Sequence, residues 1–84
     1  MSIVTIFSEI HNERIRQDVK WGGSRHDDKH TTGEFVQLIE DYAGWARTQA
    51  TMGNMDNARE RLKQVAALSV AAIESIDRAQ NLER

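Results

Sequence analysis

The chain has 84 residues, a formal net charge of −2, 39% hydrophobic and 29% charged residues, three His, and neither Cys nor Pro. Without Cys it is neither a disulfide scaffold nor a thiolate zinc finger. The slightly acidic balance lacks the basic footprint of a bulk nucleic-acid binder, and no apolar run approaches the roughly 20 residues of a membrane span.

A domain this small buries only about 60% of the surface its unfolded chain exposes. Its single core is marginal, so a homo-oligomer, a dimer or larger, is the expected remedy. No basic leader followed by an apolar stretch opens the chain, and a cytoplasmic location is expected.

Ile3, Ile6, Phe7 and Ile10 follow helical spacing, predicting a helix over residues 3 to 19 with Ser2 as its cap. After Ile10 the apolar stripe rotates to Ile15 and Val19. Gly22 and Gly23 end this helix by supplying positive φ. A loop over residues 20–31 follows.

Thr31-Thr32-Gly33-Glu34 fits a capping box opening a second helix over 32–52. Phe35, Leu38, Ile39, Tyr42, Trp45 and Ala46 are its expected buried stripe, and the internal Gly44 suggests a close helix–helix approach. Gly53-Asn54 makes the turn into a third helix over 55–82, with a stripe through Leu62, Val65, Ala66, Ser69, Ala72, Ile73, Ile76 and Ala79, widened by Leu68 and Val70. The architecture expected is all-α. Three helices, the long C-terminal one in an antiparallel helical hairpin, assemble into a helical homo-oligomer. The overhang of the third helix then needs the first helix or another subunit as its partner.

Candidate chemistry concentrates between Trp21 and His30. That segment carries two of the three His, with Asp27, Asp28, Arg25 and Lys29. Imidazole and carboxylate together suit a divalent metal. Antiparallel pairing about Gly53-Asn54 levels residues whose numbers sum to about 107, given equal rise on both helices. Glu34 then lies beside Glu74, and His30 beside Asp77. Asp28, Glu34, Glu74 and Asp77 are the candidate metal ligands, with His26 and His30 beside them. The plainer reading has Asp27 and Asp28 capping the second helix and Lys29 and Arg78 neutralising their neighbours.

A second candidate set is Arg14, Gln17, Trp21, Arg25, His26 and His30, which suits a nucleotide. The aromatic ring stacks on a base and the guanidinium forks pair with phosphate. The alternative is an ordinary charged helix surface, with Glu9 and Glu13 meeting Arg16. Arg47, Arg59, Arg61 and Lys63 form a further basic group at the turn. No Gly-rich phosphate loop and no serine nucleophile elbow occurs.

The string from Asn12 to Gly22 (N-E-R-I-R-Q-D-V-K-W-G), then His26-Asp27-Asp28-Lys29-His30-Thr31, resembles a group of small bacteriophage and prophage proteins. So do Gln64 to Leu68 and Ala72 to Arg78. Some members of that group are similar to all-α MazG-type nucleoside triphosphate pyrophosphohydrolases, which hold magnesium with Glu-Glu-x-x-Glu and Glu-x-x-Asp. By position, Glu40-Asp41 stand for the first two acids and Gly44 replaces the third. Arg61 and Gln64 occupy the second pair's places, while Glu74-x-x-Asp77 has the letters one segment later.

The resemblance implies a small accessory protein that binds or sequesters a nucleotide-like ligand or a host protein without catalysis, to counter host defence. The alternatives are a metal-dependent hydrolase using Glu34, Glu40, Asp41, Glu74 and Asp77, and a purely structural interaction module.

Overall fold

The computed structural model describes residues 2–23 and 27–80, and among them every regular element is helical. The order is α1 (Ile3–Trp21), α2 (Thr32–Thr51) and α3 (Met55–Ala79). The first helix runs two residues further than its spacing predicts, and the third ends three residues earlier. Residues 81 and 82 of the expected third helix lie outside the described residues.

The helix starts follow the capping chemistry. Ser2 Oγ accepts from the Thr5 backbone N–H at 3.2 Å. Thr31 Oγ1 accepts from the Glu34 N–H at 3.1 Å, while the Glu34 carboxylate accepts from the Thr31 N–H at 2.9 Å. Gly22 closes α1 in the left-handed region at φ 95°, its N–H donating to the Asp18 carbonyl. Gly53 adopts φ 78° in the three-residue link between α2 and α3.

α3 is the spine. Its 25 residues span roughly 38 Å at 1.5 Å per residue, close to the molecule's longest dimension of 42 Å. α2 packs along it. Phe35 clusters with Ala71 and Ala72, Gln49 meets Asn57, and the Arg61 guanidinium lies over the Tyr42 and Trp45 rings at 5.5 and 4.9 Å. α1 packs on α3 as well, with Arg59 of α3 gripping the Glu9 carboxylate of α1 at 2.8 and 2.9 Å. The last turns of α3 meet their own chain: Arg78 and Ser75 donate to Asp28, and Glu74 accepts from Arg14.

The burial pattern departs from the expected stripes. Ile15 and Val19 were expected to carry the apolar face of α1 past Ile10, yet both are exposed, Val19 at 83%. Glu13, Arg14 and Gln17 are buried in their place. The reason is the loop after α1, which brings Asp27 onto this side of the helix and makes a polar contact the better match. Trp45, Leu62 and Ile73 are also exposed, whereas Leu68 is the most enclosed large side chain at 1%. Gly44 marks no close approach, since a Cβ there would meet nothing within 4 Å.

Among the described residues, no helix is long and apolar enough to cross a membrane.

Candidate functional site: an aromatic cleft over a buried polar cluster

Arg14 sits one-third of the way from the end of α1 and reaches three ways. Its Nη2 donates to Asp27 Oδ2 at 2.9 Å, its Nε to Glu74 Oε1 at 3.1 Å, and its Nη1 to Asp18. Burial pushes the guanidinium's pKa down, but the hydrogen bond and charge of Asp18, with the charges of Glu74 and Asp27, raise it overall. Arg14 is therefore a strut joining α1, the loop and α3. Each of its three nitrogens donates to a carboxylate.

One turn further along α1, Gln17 is 2% exposed. Its Nε2 donates to Glu13 Oε2 at 3.4 Å, and the Glu13 carboxylate is itself held by Arg16 at 2.7 and 3.0 Å. Gln17 Oε1 is buried and has no hydrogen-bond partner among the described residues. A buried acceptor left unmade costs about 1–3 kcal/mol, so such an atom in a native protein asks for an explanation.

Gln17 lines a cleft of about 290 Å³ together with Trp21, Asp27, His30, Phe35, Leu38, Tyr42 and Leu68. All three helices and the loop contribute to it. The rings of Trp21, Phe35 and Tyr42 supply flat apolar surface. His30 meets Phe35 edge-on with centroids 5.7 Å apart, and its Nδ1 lies 3.7 Å from Glu34 Oε2. Lys20 Nζ stands 5.6 Å from the Trp21 ring centre.

Three of the six expected ligand-binding residues, Gln17, Trp21 and His30, thus share one cleft. Arg14 lies behind it, and Arg25 and His26 fall outside the described residues. Phe35, Leu38, Tyr42 and Leu68, which the apolar spacing assigns to the core, line it as well. The 3.6-residue period cannot separate a side chain that packs on protein from one that lines a cleft.

The expected metal ligands are placed apart. Asp28 is gripped by Arg78 at 2.8 and 3.1 Å, which lowers its pKa. Glu34 closes the capping box, and the Thr31 backbone N–H holds its carboxyl below the usual range. Glu74 is turned to Arg14. Asp77 is half-buried on α3. Among the described residues, no three His, Asp or Glu side chains come together as a metal-holding group. Glu40 and Asp41 are exposed on α2. The basic group near the α2–α3 link is largely engaged: Arg59 with Glu9, Lys63 with Glu60, Arg61 on the Tyr42 and Trp45 rings.

No protein-family model, curated protein or solved structure matches this chain.

Proposed function

We propose that the chain is a small phage- or prophage-type accessory protein that acts as a non-catalytic, oligomeric binding module for a nucleotide-like ligand. The base lies in the cleft between Trp21, Phe35 and Tyr42. The observation that carries this reading is the cleft lined by Trp21, Phe35 and Tyr42 together with Gln17, Asp27 and His30, with Gln17 Oε1 a buried acceptor without a partner among the described residues. Pockets of this composition, mostly apolar with a few convergent polar groups, are the usual form of small-molecule sites. Binding without turnover sequesters the ligand, which suits a protein that withholds a nucleotide signal from host defence.

In this reading α2 and α3 form an antiparallel hairpin that closes on a second copy of the chain. The exposed Ile3, Val4, Phe7, Val19, Leu62 and Ile73 support that assembly, because a second copy would take such apolar side chains out of water.

Isothermal titration of the full chain against nucleosides, nucleoside phosphates and cyclic dinucleotides tests the binding reading. Heat of binding with quenching of the Trp fluorescence is expected. Silence across the whole panel overturns it. Pyrophosphate release from deoxynucleoside triphosphates with magnesium would instead identify a hydrolase.

A further inference from the structure

We infer that a second copy of this chain docks along the outer face of α3, with the two α3 helices antiparallel about a two-fold axis. This rests on the reading of the chain as an assembly of copies. It adds which face closes, in which direction and at which register.

The buried interior is slight. Only Phe35 and Leu68 are large among the described buried hydrophobic residues, and the other five are alanines. On α3, large apolar side chains stand outside. Leu62, Ala66, Ser69, Ile73 and Ile76 recur at alternating steps of four and three, the spacing of a helix-pairing seam. Leu62 and Ile73 are 57% and 56% exposed, although α1 and α2 already pack on α3.

α1 crosses α3 and turns this face into a groove. Toward the start of α1, Ile6 and Ile10 share a hollow of about 320 Å³ with Leu62 and Ala66, which Arg59 and Lys63 also line. At the end of α1, Gln17 and Trp21 line the cleft with Leu68 and Ala71. At 3.6 residues per turn, Leu62 and Ala66 lie on the side of α3 opposite Leu68 and Ala71. The first turns of α1 therefore reach out over the exposed stripe. Ile3 and Phe7 in those turns are 63% and 60% exposed. A helix laid beside α3 would be covered by them.

The symmetry of the stripe identifies the occupant. In an antiparallel pair, residues whose numbers sum to about 135 lie level, given equal rise on both helices. Leu62 then faces the partner's Ile73, and Ala66 faces the partner's Ser69. Large meets large and small meets small, and the two-fold axis repeats each contact. Each hollow beside Leu62 receives an Ile73 side chain.

Charge gives the same direction. On one flank of the seam, the first half of α3 carries Arg59 and Lys63 and the second half carries Glu74 and Asp77. The antiparallel pair sets Arg59 level with the partner's Asp77, whereas a parallel pair would set like charge on like. Within the chain Arg59 already holds Glu9, Lys63 holds Glu60 and Arg14 holds Glu74. These rim charges consequently fix direction and register, and the apolar seam supplies the affinity.

Sedimentation velocity of the full chain over a range of concentrations tests the inference. The wild type is expected to sediment as a dimer or larger. Ile73→Glu is expected to weaken association at least tenfold, with thermal unfolding at low concentration showing the variant folded. Val36→Glu, an exposed apolar site on α2, is expected to leave association unchanged. Arg59→Glu alone and Asp77→Lys alone are each expected to associate at least tenfold more weakly. Their equimolar mixture recovers association, because each new acid then faces a new base.

Wild-type association that Ile73→Glu leaves intact overturns the α3 face and keeps the reading of an assembly. A mixture no tighter than its two components overturns the antiparallel register. A wild-type chain that is monomeric at every concentration overturns both the assembly and this inference, while the cleft's ligand reading stands on its own titration.

Discussion

Arg14 Nη2 donates to Asp27 Oδ2 at 2.9 Å across thirteen positions of sequence, fixing the loop before α2 to the middle of α1. With its further bonds to Asp18 and Glu74, one side chain sets the spacing of α1, the loop and α3, and so the width of the cleft in front of it.

Removing that cation leaves the buried Asp27 carboxylate without its partner, while Asp18 and Glu74 stay open to water. Arg14→Met is expected to cost about 1–3 kcal/mol at pH 7, the range for leaving a buried acceptor unpaired. Urea titrations of wild type and variant at pH 7 check this. An unchanged midpoint would show that these ion pairs contribute nothing to stability.

Leu68 is 1% exposed at the meeting of the α3 spine with the cleft. Leu68→Ala is expected to destabilise by about 2–5 kcal/mol, the range for deleting an enclosed aliphatic side chain. Chemical denaturation measures it. Val19→Ala is the control, and for so exposed a residue a change within about 0.5 kcal/mol is expected in the isolated chain.

Three carboxylates contribute to the acid limb of stability. The Arg59 hydrogen bond lowers Glu9 from its ordinary 4.5, the Arg78 hydrogen bond lowers Asp28 from 3.8, and the Thr31 N–H lowers Glu34 from 4.5. A depressed pKa means that the folded chain binds fewer protons than the unfolded one near pH 4. The contribution is complete above the ordinary values and is lost as pH falls through the lower folded values. The urea midpoint is expected to stay level from neutrality to about pH 5 and to drop below that. Glu9→Gln with Asp28→Asn flattens the drop.

How far the sequence could lead is visible in the ends and faces of the helices. Ser2, Gly22 and the Thr31–Glu34 box were legible because capping depends on a residue and its neighbours within one turn. The face of α1 was not. Ile15 and Val19 outweigh Arg14 and Gln17 on any hydropathy pattern, but the buried choice depends on Asp27, which reaches α1 only after the loop turns. Trp21 and His30 were picked out by composition. Their joining with Gln17, Tyr42 and Leu68 needed three helices in place.

The exposed apolar residues make a prediction about assembly. If a second copy covers Phe7, 60% exposed in the single chain, the melting temperature rises with protein concentration. Phe7→Asp removes that dependence. Sedimentation velocity of wild type and variant gives the direct comparison.

The cleft draws its walls from Gln17 on α1, Tyr42 on α2 and Leu68 on α3. Among the described residues, α1 meets the rest of the fold mainly through α3. Helices attached in this way open as separate cooperative units, at lower free energy than the whole molecule. An occupant of the cleft would touch all three and bind only while α1 is docked. It would act as a clasp, and the amide protons of α1 would then slow their exchange with solvent more than those of α3.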